Sequence, residues 1–121
     1  MNLWNMFLTI IIIVAIDFPW LYFGSSMSGP MIKSIQGSDI SLRWFPALMV
    51  YVAVAYLVHL PNTNMEAFLL GLCVYGVYDG TNYASLKNYT LTFAVLDTLW
   101  GGTLFLLVHN ALQYFKIKTL V

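Results

Sequence analysis

The sequence predicts an all-α integral membrane protein, a bundle of four transmembrane helices, and three observations carry that prediction. Charged side chains make up 8% of the 121 residues, where soluble domains average about 25%. Hydrophobic residues reach 60% and aromatics 17%, with a mean hydropathy of +0.79, more apolar surface than a soluble core of this size can hide from water. Four apolar windows, each near the roughly 20 residues a helix needs to cross the hydrocarbon, are separated by short polar, proline- or glycine-bearing stretches. The formal net charge is zero and no Lys/Arg run occurs, so nothing supports nucleic-acid binding. Cys73 stands alone in the sequence, which excludes an internal disulfide and a cysteine zinc site.

The first window covers residues 3–23, contains the run from Ile10 to Val14 and ends near Pro19 and Gly24. No Lys or Arg precedes Lys33, and Asp17 interrupts the apolar run, so the segment does not read as a cleavable signal peptide. Residues 24–43 are long enough for structure of their own. Within them, residues 30–36 can form a short interfacial helix, with Pro30 in its first turn, Met31, Ile32 and Ile35 on one side and Gly37 at its end, or an ordinary polar loop. The second window, residues 44–60, stops at Pro61. The third, residues 65–84, has Asn64 placed to cap it and Glu66 in its first turn, where the helix dipole favours an anion. The fourth, residues 91–112, precedes a tail carrying Lys116 and Lys118. No internal repeat or domain boundary is legible, so residues 1–121 are expected to form one domain.

Four spans place both termini and the 61–64 turn on one side, with the long connection and the 85–90 loop on the other. Lys33, Arg43 and Lys87 then oppose Lys116 and Lys118, and this margin of one charge places the two loops in the cytoplasm by the positive-inside rule. The lipid bilayer is the expected surrounding.

Asp17, Asp79 and Asp97 lie inside the predicted spans, where an ionised carboxylate costs roughly 2.5 to 3.5 kcal/mol on insertion scales. Chain direction brings all three to a similar depth, roughly 8 to 10 Å from the loop side by helix rise. Asn82 and Tyr83 follow Asp79 on adjoining helix faces, and Trp20, Trp44 and Trp100 cluster toward the same side. Gly76, Gly80 and Ala84 recur every four residues, a stripe that lets another helix approach, and Gly101 lies four positions after Asp97. Such acids are protonated, paired with Arg43 or Lys87, hydrogen-bonded to Asn82 or tyrosine hydroxyls, or bound to a cation such as Mg²⁺. His59 and His109 fall near the terminal side as headgroup anchors or a metal or proton pair, and Cys73 reads as a packing residue.

The segment from Tyr78 to Tyr89, Tyr-Asp-Gly-Thr-Asn-Tyr-Ala-Ser-Leu-Lys-Asn-Tyr, resembles the signature of a family of small four-span membrane proteins, domain of unknown function 2177. Asp17-Phe18-Pro19-Trp20-Leu21 resembles that family's aspartate and tryptophan at the end of its first helix, and Asp97-Thr98-Leu99-Trp100-Gly101 its D-x-x-W-G at the start of the fourth. The resemblance spans essentially the whole chain. Gly80 stands where the family has a larger apolar residue, and Tyr89 where it has tryptophan. It implies four helices, a membrane location and importance for Asp17, Asp79, Thr81, Asn82, Asp97 and Trp100, but no activity and no cofactor.

The leading expectation is a protein that handles a proton, a cation or a small polar solute. Asp79 and Asp97 would carry the exchangeable ion, Asp17 would complete the layer and Asn82, Tyr83 and Trp100 would supply contacts. Arg43 and Lys87 would hold the entrance, with Thr81 and Trp20 in support. Four helices scarcely enclose a pore, so transport implies a homo-oligomer. Two other classes stay open: a structural protein whose acids tie helices together, and an intramembrane lipid-modifying enzyme, for which no nucleophile–base arrangement is legible.

Overall fold

Asn2 starts the first helix: its side chain accepts the Asn5 N–H at 3.0 Å and supplies the cap that an N-terminal turn lacks. The helix, α1 (Leu3–Gln36), then runs unbroken for 34 residues, about 51 Å by rise. This computed structural model describes residues 2–117, and among them it contains three further helices and no strand: α2 (Trp44–Leu57), α3 (Asn64–Ser85) and α4 (Leu91–Tyr114). Lys118 lies outside the described residues.

The length of α1 corrects the expectation of a first span ending near Gly24, followed by a separate short helix or loop. Pro19 and Pro30 both sit inside it, each removing one backbone hydrogen bond, yet in an apolar surrounding a helix is still the best way to satisfy the other backbone groups. Gly24 is no break either. It is buried against its own helix's Trp20, and a Cβ there would meet the indole at 3.2 Å. Gly37 does end α1, at φ 80° with its N–H on the Lys33 carbonyl at 2.8 Å, a conformation that a residue without Cβ adopts freely.

α2 has 14 residues and stops before its window does, at Leu57, so it is about 21 Å long. Thr63, not Asn64, caps α3: its hydroxyl accepts the Glu66 N–H at 3.1 Å while Glu66 reaches back to the Asn62 N–H at 2.7 Å. Thr90 caps α4 in the same manner through the Phe93 N–H. By length and composition α1 and α4 can cross a membrane, and α2 is a shorter apolar helix. α3 has the length, but Asn64, Glu66, Asp79 and Asn82 dilute its apolar character.

The helices pack antiparallel to their partners, with α4 as the most buried element. Ile13 of α1, Ala55 of α2 and Val58 just after that helix, and Phe105 and Val108 of α4 form the main apolar core. A second cluster, around Met31, Tyr89 and Phe93, fastens the far end of α1 to the α3–α4 connection. Large apolar side chains, including Phe7, Phe18, Leu48, Val77, Leu96 and Leu107, face outward along all four helices, the pattern of a surface solvated by lipid rather than water.

The closest helix contact joins α3 to α4, and its small residues are Gly71, Gly101 and Gly102. A Cβ on Gly71 would overlap the Gly101 carbonyl, and one on Gly101 would overlap the Tyr75 ring. Gly76 only approaches Thr98, at 3.6 Å from a would-be Cβ, and Gly80 meets nothing within 4 Å. The close approach at Gly71 therefore lies nine residues, about two and a half turns, from the Gly80 end of the predicted stripe. Gly101→Ala should destabilise by about 1 to 3 kcal/mol through overpacking, whereas Gly80→Ala should be neutral or stabilise by about 0.5 to 1 kcal/mol. Thermal unfolding of both variants in detergent or lipid discs reads the difference.

Candidate functional site

An aspartate placed on an apolar helix must find donors on its neighbours, because leaving a buried carboxyl unpaired costs several kcal/mol. Asp17, Asp79 and Asp97 are all buried, and each finds them. On α1, Asp17 and Trp20 are three residues apart; on α4, Asp97 and Trp100 repeat that spacing. Because α1 and α4 are antiparallel, the two pairs meet head to tail. The Trp100 indole N–H donates to Asp17 at 2.8 Å, and the Trp20 indole N–H donates to Asp97 at 2.8 Å. The two indoles stack on each other, with centroids 6.2 Å apart and planes 25° from parallel. Trp20 also stacks on Phe93, at 6.2 Å.

The remaining helices join through the same carboxyls. Tyr51 of α2 donates its hydroxyl to the second oxygen of Asp17 at 3.1 Å. On α3, Asp79 accepts from the Tyr89 hydroxyl at 2.5 Å and from Thr98 of α4 at 3.3 Å. Thr98, the residue after Asp97, thus ties Asp79 to the helix that carries Asp97. Asn82 sits beside the phenols of Tyr78 and Tyr89. Tyr89 lies in the α3–α4 connection, where burial first, and then its hydrogen bond to Asp79, hold the phenol above its ordinary pKa range and keep it a donor.

Every donor to this layer is neutral. Among the described residues the one ion pair joins Lys33 to Asp39 at 3.8 Å, both largely in solvent. Arg43 and Lys87 are exposed and pair with none of the three acids, so the expectation that they hold the entrance finds no contact to support it.

Asp17 and Asp97 form the floor of a cavity of about 480 Å³. Its walls are aromatic and aliphatic, including Trp20, Tyr75, Tyr78, Tyr89 and Phe93, and its rim carries Ser28, Gln36 and Ser41. The cavity exists because α2 is short. The hydrogen bonds Tyr51 to Asp17 at 3.1 Å and Thr9 to His59 at 2.9 Å set an antiparallel register in which Trp44 stands level with about Gly24. Beyond that level α1 continues without α2 beside it, and residues 40–42 of the connection edge the gap instead.

Other candidates lie elsewhere. Tyr83 is half-exposed and, with Gly76 and Gly80, lines a shallow groove on the other flank of Asp79. Thr81 is exposed and engages only through its carbonyl, to Ser85 at 2.7 Å. His59 and His109 line one pocket at the terminal end, but each also has a partner, Thr9 at 2.9 Å and Gln113 at 3.3 Å. Cys73 faces outward. No group of three or more His, Cys, Asp or Glu side chains among the described residues is placed to hold a metal. Tyr51 and Thr98 were not singled out from sequence, although a tyrosine in the apolar second window and a threonine directly after Asp97 are polar groups that also need partners.

The sequence pattern of the predicted membrane protein family DUF2177 matches residues 2–111, and the chain belongs to that family. No curated protein matches the chain, and no solved structure does.

If each indole serves one carboxyl, the energetic coupling follows the crossed pairs. Double-mutant cycles should give about 1 to 3 kcal/mol between Trp100→Phe and Asp17→Leu, and between Trp20→Phe and Asp97→Leu, since Leu has no acceptor for the indole. The same-helix pair Trp20→Phe with Asp17→Leu should be closer to additive. Unfolding midpoints of the single and double variants supply the numbers, and equal coupling for all pairs would refute the crossed arrangement.

Proposed function

We propose that this chain is a four-span integral membrane protein that binds an exchangeable cation, a proton included, at the floor of the acidic cavity. One observation carries the reading: three buried carboxyls have no cationic partner among the described residues, and two of them border an open cavity. Buried carboxyls that share one layer without a cation do not all ionise readily. In this reading Asp97, at the cavity floor, carries the exchangeable proton, and a cation entering beside it displaces that proton. Asp17 is kept as an acceptor by Trp100 and Tyr51 and adds to the negative potential of the floor.

In this reading α2 and α3 span together with α1 and α4, and the cavity end faces the cytoplasm, since Lys33, Arg43 and Lys87 lie at that end. A single bundle of this width has no room for a continuous pore, so movement of an ion across the bilayer takes a second copy or a conformational change.

The competing reading is a structural clasp. It is favoured by the complete hydrogen bonding of the site: no buried side-chain polar atom among the described residues lacks a partner. Infrared difference spectra across an acid-to-alkaline pH step separate the two. Cation binding predicts a protonated-carboxyl C=O band that disappears on alkalinisation in the wild type and is missing from Asp97→Asn, with the unfolding midpoint nearly unchanged because Asn keeps an acceptor for Trp20. The clasp predicts no pH-sensitive carboxyl band, and its appearance in neither protein would sink the proposal.

A further inference from the structure

The walls of the cavity name the kind of cation. A hard inorganic cation needs about six to eight oxygen ligands, and this site offers two carboxyls at one end of an otherwise aromatic and aliphatic chamber. Its volume of about 480 Å³ is far larger than a bare ion and falls within the range of roughly 300 to 1,000 Å³ typical of organic ligands. An anion is opposed by Asp17 and Asp97. A neutral solute would fill the space and leave the uncompensated acids without a counter-charge. An ammonium group attached to or surrounded by carbon meets each demand: its charge faces the carboxyls, its carbon shell replaces water against apolar walls, and aromatic rings attract it through their quadrupoles.

Building on the cation-binding reading above, we propose that the cavity takes an organic ammonium ion, its nitrogen over Asp97 and Asp17 and its carbon substituents against Tyr75, Tyr78, Tyr89 and Phe93. The same chemistry has two sources: a free alkylammonium solute entering past Ser28 and Gln36, or the ammonium headgroup of a bilayer lipid. Ser28 lines the α1 wall away from the carboxyls, so bulk added there narrows the chamber without touching an acid.

Tetraethylammonium is the probe, and Trp20, which lines the chamber and stacks on Trp100, reports on it through intrinsic fluorescence. Full-length protein in maltoside detergent should give a saturable change that equal concentrations of sodium chloride do not produce. Affinity should fall by about tenfold or more in Asp97→Asn, as loss of one partly desolvated charge predicts. Ser28→Phe should weaken it similarly, and retention of the pH-sensitive carboxyl band in that variant shows that the acidic layer is still folded. Repeating the titration in phosphatidylcholine discs identifies the source: a several-fold weaker apparent affinity there marks the lipid headgroup as the occupant, and an unchanged one marks a free solute. A response that does not saturate, or that is the same in Asp97→Asn and the wild type, overturns the ammonium assignment. If the pH-sensitive band persists in that case, the broader cation-binding reading survives; if the band is absent too, both fall.

Discussion

Burying three carboxyls is the constraint on which the rest of this molecule depends, and the crossed Trp–Asp hydrogen bonds between α1 and α4 are how it is met. A D-x-x-W spacing places an acceptor and a donor on one helix face, one turn apart. Two such faces on antiparallel helices satisfy each other only when Asp17 lies level with Trp100 and Trp20 with Asp97. A slip of one turn in either direction would leave two carboxyls and two indoles unmatched, at about 1 to 3 kcal/mol or more for each group. The apolar contacts of lipid-facing helices change little with such a slip, so the polar layer is what fixes the register.

From that register follow the positions of the other two helices. Tyr51 brings α2 onto the free oxygen of Asp17, and Asp79 brings α3 onto Thr98 and Tyr89. Close packing of α3 on α4 needs Gly71 and Gly101, which let backbone and the Tyr75 ring occupy space a side chain would fill. Tyr75 in turn becomes a wall of the cavity above the acids. The cavity is thus a product of one mismatch in length, a 34-residue α1 beside a 14-residue α2, bordered by the layer that locks them together. Stability and the floor of the cavity come from the same residues, which is why neutral isosteres at the aspartates, rather than truncations, change the charge of the floor while keeping its acceptors.

Much of this was legible in the sequence because it depends on local properties. Helical content, the three acids set within apolar helices and the helix end at Gly37 are set by the residues of each segment and their immediate neighbours. Two devices were partly legible: the D-x-x-W spacing occurs twice in the chain, at Asp17 and at Asp97, but reads as two separate motifs until the helices are placed antiparallel. The glycine stripe at Gly76 and Gly80 illustrates the opposite case. Small residues four apart allow a close approach but do not require one, and α4 chose the Gly71 end of α3, where Gly101 and Gly102 face it.

By itself, then, the sequence determined that this chain is a membrane protein, that its apolar windows are largely helical, and that its carboxyls must be matched. Composition and periodicity settle these points, since the energy of placing an apolar run or a charge in hydrocarbon is a property of the residues alone. Only the tertiary structure decided which donor serves which acid, that α1 runs through Pro19, Gly24 and Pro30, and that a cavity opens beside Asp17 and Asp97. Those outcomes depend on the rotation and register of each helix against its neighbours, and both are fixed by contacts between residues as distant in the chain as Asp17 and Trp100.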